Sequence, residues 1–315
     1  MEIILSVYFG NDRTYISGVK PTEHGLELVY INSTEHSIDL EEEIDLDNPE
    51  GNTSLLGSQE LEIALDDLPV SPTQLTVSLP TDSVLISQFP GDDTLSEKKL
   101  KELVNLEIRQ AYPQFDTADF MANIVPLAAK KDKKKMMMGI IIPKKSYQNC
   151  KKILKPLDMS ISRIELGQLT THSAFLYNYP EYQEKNVLLL GVEKKFADIT
   201  VLKQGRPLYY NTAKYGQLNE IGEIMMIEFD KVQTEFVDEV HAAYFYGPQL
   251  TKDFLEMMEP NVLAFVAETG RVNAFRMMKT DMEKRDKEYA SRVSHIFPPC
   301  VGAAIPTYYK KLAII

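Results

Sequence analysis

What the chain lacks narrows its class before any motif is read. Its two cysteines, Cys150 and Cys300, stand far apart, with no histidine at ligand spacing. They make neither a disulfide framework nor a zinc site, and both read as buried thiols. No apolar run approaches the ~20 residues that cross a bilayer. The longest, Met136 to Ile142, already contains Gly139. No basic stretch precedes an apolar one at the start, where Glu2 is acidic. A secretory signal is not expected, and a cytoplasmic location is. The five histidines (His24, His36, His172, His241 and His295) fall at no metal-ligand spacing, and there is no Gly-x-Ser-x-Gly elbow and no phosphate loop ending in Lys-Ser or Lys-Thr. Nothing marks a catalytic nucleophile, and no metal site is expected.

Basic residues are absent from a long stretch. Between Lys20 and Lys98 there is no Lys or Arg, while Glu35, Asp39, Glu41, Glu42, Glu43, Asp45, Asp47 and Glu50 crowd together. The formal charge of −12 disfavours a general nucleic-acid binder, because affinity for phosphate comes from clustered Lys and Arg. Lysines concentrate instead at Lys130, Lys131, Lys133, Lys134 and Lys135, with Lys144, Lys145, Lys151, Lys152 and Lys155 soon after. The plainer reading of the first five is a solvated hairpin tip, since turns collect charge. The other is a docking surface for a partner or an anionic membrane.

What is present is the composition of a soluble globular protein, 44% apolar and 25% charged over 315 residues. By a rough 150 residues per domain, that is two domains or one bilobal body. Ile3 to Tyr8, Tyr15 to Val19 and Leu26 to Ile31 read as a three-strand meander with turns at Gly10 and at Pro21 and Gly25. Val187 to Leu190, Phe196 to Leu202 and Leu208 to Asn211, with Gly191 and Gly205-Arg206-Pro207, repeat it. The nearly equal glycine spacings point to an internal duplication. Leu218, Ile221, Met225, Phe229, Val232 and Phe236 recur at steps of three and four, a helix packing one face on a sheet. Strand Ala242 to Tyr246, a helix from about Thr251 to Met258 and a strand Val262 to Val266 complete a β-α-β arrangement.

Between the meanders lies a strand-helix-strand-strand stretch. It comprises Val84 to Phe89, a helix bearing Leu100, Leu103, Val104 and Ile108 behind a Thr94-Leu95-Ser96-Glu97 capping box, and strands near Phe120 to Ala128 and Met136 to Ile142. A helix near Ser146 to Pro156 follows, then Met159 to Ile164 and Gln168 to Tyr177. Glu41 to Gly57 has no clear period and reads as a loop.

Together these features resemble the actin-like ATPase superfamily, and within it the branch of the type IV pilus assembly protein PilM and its relative FtsA. The resemblance rests on the paired meanders, the insert from Val84 to Ile142, Pro156-Leu157-Asp158-Met159 with Ile164-Glu165, Val187-Leu188-Leu189-Leu190-Gly191, Ile199-Thr200-Val201, Tyr246-Gly247 and Val301-Gly302-Ala303-Ala304. It covers nearly the whole chain, and each motif alone is weak. It implies a duplicated two-lobe α/β fold of the ribonuclease H-like kind with an inserted subdomain. The expected division is a first lobe over 1–83, the insert over 84–145, connecting helices of the first lobe over 146–186, and a second lobe over 187–315 whose last helix returns to the first.

The departures bear on activity. Where the family has Asp-x-Gly, with a carboxylate that holds the magnesium of a nucleotide, this chain has Tyr8-Phe9-Gly10; at the second such turn the match is Leu189-Leu190-Gly191. Of the family's adenosine-binding glycine pair only Gly247 remains. Magnesium is held through carboxylates and phosphate oxygens, so these losses count against hydrolysis. Asp12 and Glu193 each follow a turn glycine by two, and both read first as exposed turn residues. The residues that the resemblance leaves at a nucleotide site are Gly10, Asn11, Thr14, Gly191, Glu193, Gly247 and Gly302. No cofactor is expected, ATP being the one candidate and a weak one, and Asn11 and Thr14 could still offer turn amides to a phosphate.

In that family the insert forms a groove for a partner's N-terminal peptide. The resemblance therefore implies a non-enzymatic scaffold in a pilus- or secretion-type assembly that binds a segment of a membrane-anchored partner at the inner face of the membrane, with no span of its own. Its receiving surface would be Val84, Ile86, Phe89, Leu103 and the hairpin lysines Lys133, Lys134 and Lys135. Two alternatives stay open: an active ATPase or small-molecule kinase of the same superfamily, and a module that pairs two copies through its insert.

Overall fold

The computed structural model describes residues 2–41, 59–66, 68–69, 71–92, 94–132, 134–306 and 312–314. The predicted loop at 41–57 lies outside them after Glu41, as does Lys133.

Elements run in chain order as β1 (Ile4–Phe9), β2 (Arg13–Thr22), β3 (Gly25–Glu35), α1 (Gln59–Asp66), β4 (Gln74–Leu79), β5 (Leu85–Pro90), α2 (Glu97–Ala111), β6 (Phe120–Pro126), β7 (Met136–Pro143), α3 (Lys144–Ile153), β8 (Ile161–Leu166) and α4 (Gly167–Asn178). Then come β9 (Asn186–Val192), β10 (Phe196–Lys203), β11 (Arg206–Lys214), α5 (Glu220–Glu235), β12 (Ala242–Tyr246), α6 (Lys252–Leu263), β13 (Glu268–Arg271), α7 (Lys284–Val293), α8 (Pro298–Val301) and β14 (Leu312–Ile314). Two five-stranded sheets share one plan. The first has the order β3-β2-β1-β4-β8 and the second β11-β10-β9-β12-β13. In each, an antiparallel meander is extended by two parallel strands. A third sheet, β14-β6-β7-β5, is built mostly from the stretch between β4 and β8.

Alternation along the strands decides what each face meets, because successive side chains of a strand point to opposite sides. Leu5, Val7 and Phe9 pack into one core with α1, α3 and the back of the third sheet, while Tyr8 turns to the other side, towards Phe297, Cys300 and Val301. In the second sheet Leu188, Leu190 and Val192 meet α5 and α6, and Val187 and Leu189 meet Phe175, Leu176 and Tyr244. Helix α4 therefore lies between the two sheets. It is buried all round, with Tyr177 alone among its twelve residues outside the buried set, and a helix so enclosed shows little amphipathicity. Within it Thr170 and Thr171 donate to the Gly167 carbonyl and Asn178 to the Ala174 carbonyl, and His172 bonds Thr200 of the second sheet.

Three local expectations are corrected. Ser96, not Thr94, caps α2, its hydroxyl accepting from the Lys99 amide, while the Thr94 hydroxyl donates to Asp92. The run Val262 to Val266 is not a strand. Phe254, Met258 and Val262 fall on one buried helical face, which carries α6 through Pro260 to Leu263, and the strand follows at Glu268–Arg271. The paired glycines are not counterparts either. The β1–β2 turn is closed by the Gly10 amide on the Arg13 carbonyl, and the β9–β10 turn by the Glu193 amide on the Phe196 carbonyl. With Phe9 opposite Thr14 and Val192 opposite Ala197, Glu193 matches Gly10 and Gly191 matches Tyr8. The strands repeat; the glycine spacing only imitates the repeat.

Candidate functional site

The two hairpin turns face each other across α4, and between them lies a polar cluster. From the second sheet come Glu193 and Asp198, both buried. From the first come Tyr8, whose hydroxyl donates to Glu193 Oε1 at 3.3 Å, and Thr81, whose hydroxyl reaches both Asp198 oxygens at 3.0 and 3.1 Å. Thr212 donates a further bond to Asp198 at 2.9 Å. Nearer the surface Lys194 and Asp12 join the two turns at 3.2 Å. Every one of these links but the Thr212 bond runs from one lobe to the other.

Burial without a cation sets the electrostatics. Desolvation first, and then the charge of Asp198, pushes the Glu193 carboxyl up to about 8; desolvation likewise pushes Asp198 up to about 7, against the hydrogen bonds from Thr212 and Thr81. Burial, reinforced by both acids, holds the Tyr8 and Tyr246 phenols well above their usual range. At neutral pH the cluster is thus rich in protonated oxygen and poor in charge. Among the described residues no group of three or more His, Cys, Asp or Glu could hold a metal ion.

Little space is left at the centre. Tyr8 and Tyr246 are 4% and 2% exposed, and their rings stand where Gly167 and Gly191 leave room. A Cβ on Gly191 would come within 2.5 Å of the Tyr246 ring. Gly247 holds the next turn at φ +112°, where any side chain would meet the Val192 backbone. Gly302 lets residues 302–304 press against α4, since its Cβ would lie 1.8 Å from the Thr170 carbonyl oxygen. These glycines serve close approach of backbone or ring. The open space lies outwards, a cavity of about 430 Å³ lined by Gly10, Asn11, Asp39, Asp82 and Lys195.

The residues expected at a nucleotide site therefore separate. Gly10 and Asn11 line the outer cavity, Glu193 belongs to the inner cluster, Gly191 and Gly247 flank Tyr246, and Thr14 and Gly302 are packed inside. Glu193 is not the exposed turn residue that its spacing suggested. Leu189 does not stand at the second acid's place, since the hairpin register puts Gly191 there and Leu189 in the core beside α4. Asp198 was missed. Its signal was present, a lone acid within the apolar run Phe196 to Leu202.

In the third sheet, Phe89 is buried under α2 with Leu100, Val104 and Ile108, and Val84 and Ile86 pack partly against the first lobe's core. Phe89 is thus enclosed, while Val84 and Ile86 keep part of their surface exposed. Leu103 is partly buried beside them, while Leu106 and Phe115 are half exposed. The basic hairpin is in large part a joint. Lys131 pairs with Asp238 at 2.9 Å, Lys130 lies over the Phe236 ring, and the Ala128 amide donates to the Pro207 carbonyl. Lys134 and Lys135 pair with Asp132 and Asp92.

No protein-family model matches the chain, and no curated protein matches it in sequence. Solved structures do. A protein of Bacteroides thetaiotaomicron with an actin-like ATPase fold and unknown function aligns at a TM-score of 0.50 and 14% identity, over 85% of this chain and 90% of its own. With the doubled five-stranded plan, this defines the class: the chain has the actin-like ATPase fold. Within that class it resembles PilM, for a structure of the PilM–PilN type IV pilus biogenesis complex aligns at a TM-score of 0.72, covering 96% of this chain and 97% of the other at 12% identity. Among the described residues no helix is long and apolar enough to cross a membrane.

Proposed function

We propose that this protein is a non-enzymatic, actin-like adaptor of a pilus- or secretion-type assembly, held at the membrane by a membrane-anchored partner whose segment it binds through its inserted sheet. One observation carries the reading: the floor of the interlobe cleft is filled by Tyr8 and Tyr246, and its two acids are bonded across the cleft. A nucleotide site needs room for phosphates and carboxylates free to hold magnesium. Here the acids are buried, held towards their protonated forms and already engaged. The likeness to a PilM–PilN complex supports a partner of the same kind, and the half-exposed Leu106 and Phe115 supply an apolar surface on the insert.

Titration calorimetry with ATP and Mg²⁺, paired with a turnover assay, tests the first half. Neither saturable magnesium-dependent binding nor hydrolysis is expected, and robust turnover by the unaltered protein overturns the adaptor reading. Crosslinking in cells tests the second half. Crosslinks from the insert to a membrane-anchored protein support it, and recovery of soluble metabolic enzymes alone ends it.

A further inference from the structure

The second lobe presents an outer face made by two helices. Helices α5 and α6 both cover the core of the second sheet. A Cβ on Gly222 would lie 3.9 Å from the Met258 sulfur, and the Phe229 ring stacks on Phe265 with centroids 5.2 Å apart. The two contacts keep one sequence offset, so the helices run side by side in the same direction. Residues four apart share one side of a helix. Met226, one turn on from Gly222, and Met257, next to Met258, therefore fall along the seam, where they are 51% and 40% exposed. Outward positions beside them carry exposed acids, Glu223 and Asp230 on α5 and Asp253 and Glu256 on α6. Between Lys214 and Arg271 the basic residues of the chain are Lys231 and Lys252. Lys231 lies over the Tyr209 ring, and Lys252 pairs with Glu256 at 3.3 Å. Neither helix has a basic residue in its last turn, the end at which a cation stabilises a helix.

We propose that the α5–α6 face is a docking surface for a basic, amphipathic helix of a protein partner, whose apolar side lies on Met226 and Met257 and whose lysines or arginines meet the surrounding acids. This face belongs to the second lobe, and the inference does not depend on the adaptor reading or on what the insert binds. Exposed apolar side chains rimmed by charge mark an interaction surface. Methionine suits one, because its unbranched, polarisable side chain adapts to the partner it meets. An amphipathic helix lays its apolar side on such a seam through anchors at helical spacing. Charge selects the occupant. An anionic membrane would be repelled by Glu223, Asp230, Asp253 and Glu256. A second copy of the same face, related by a two-fold axis, would set these acids against their own kind. A cationic helix meets neither cost, and the acids would speed its approach at low salt.

The test uses the full chain and two labelled peptides of one composition. The first, Lys-Leu-Leu-Lys-Lys-Leu-Leu-Lys-Leu-Leu-Lys-Lys-Leu-Leu, gathers its leucines on one side of a helix; the second rearranges the same residues so that leucines surround the helix. One variant carries Met226→Gln and Met257→Gln, and another Glu223→Gln, Asp230→Asn and Asp253→Asn. All these positions are exposed, so the urea midpoints of both variants should match that of the unaltered protein. In anisotropy titrations the first peptide is expected to bind about tenfold more tightly than the second, and the methionine variant to bind it about tenfold more weakly than the unaltered chain. The acid variant should bind it more weakly at low salt and show a flatter salt dependence. Hydrogen exchange should slow within α5 and α6. Equal affinity for the two peptides, an unchanged methionine variant, or protection confined to other elements overturns the proposal. A dimer of the unaltered chain that dissociates in the methionine variant also overturns it, because a second copy then covers the face. Binding to phosphatidylserine vesicles that the same variant abolishes does so too. Should one variant fail to fold, the other variant, the peptide pair and the exchange map still decide.

Discussion

The two hairpins that meet at the cleft have the same backbone and opposite chemistry. At matched positions the first carries Tyr8 and Gly10, and the second Gly191 and Glu193. The first lobe offers hydroxyl donors, Tyr8 and Thr81; the second offers the acids that accept them. A duplicated fold that grips a ligand from both sides would be expected to aim like groups from each half at the ligand. These halves aim complementary groups at each other. On the adaptor reading, the duplication has kept its strands while its ligand-facing positions have been turned into a contact between lobes.

The matched pair Tyr8 and Gly191 gives the sharpest way to break this comparison, since one position is large and filled and the other small and overhung. Tyr8→Ala is expected to cost about 4 kcal/mol, in the range for deleting a buried aromatic side chain. Gly191→Ala should cost about 2 kcal/mol by the opposite route, overpacking against a Tyr246 ring that is itself buried. Urea midpoints at constant m-value measure both. If either substitution is neutral, that ring is not filling the cleft.

The acids make a smaller, pH-dependent contribution with a definite sign. Their ordinary carboxyl values lie near 4 in an unfolded chain, and in the folded protein they rise to about 8 for Glu193 and about 7 for Asp198. The folded state therefore binds more protons than the unfolded one above about pH 4, and stability falls as pH rises through 7 and 8. On the order of 2 kcal/mol should be lost between about pH 6 and about pH 7. The isosteric pair Glu193→Gln and Asp198→Asn keeps the shapes and removes the titration, so its stability should vary less over that range. An unchanged slope in the double variant would place the titrating groups elsewhere.

These positions also show how far sequence reading reached. The meanders were legible because alternation and Gly or Pro turns are local signals, as in Val187 to Leu190 before Gly191. The chemistry of the cleft was not, because it depends on which residues of distant strands meet. Glu193 sits at a turn, where an acid is commonplace, and only the opposing lobe buries it. Asp198 stood out against its apolar neighbours, but nothing local revealed Thr81 across the cleft. Helix α7 was missed since its sequence is highly charged and buries Ala290 alone. The edge strand Glu268–Arg271 carries no strand signal of its own; the parallel register with β12 makes it one.

The smallest expected effect concerns the link at the rim of the same cleft. Lys194 and Asp12 bridge the two turns at 3.2 Å, yet their side chains are 57% and 61% exposed. Water screens such a pair, and holding two mobile side chains in one geometry costs entropy, so exposed ion pairs are worth about 0–1 kcal/mol. Lys194→Met should therefore shift the urea midpoint by less than about 0.5 kcal/mol equivalent, and added salt should erase the shift. Its value lies in contrast with Tyr8→Ala, which disrupts a link between the same two hairpins one layer deeper. A large, salt-sensitive loss from Lys194→Met would mean that the rim charges hold the lobes together and that the buried phenol and acids only fill space between them. A negligible loss there, beside a large one at Tyr8, assigns the joint to the buried layer, where Tyr8 and Thr81 donate to carboxylates that water cannot reach.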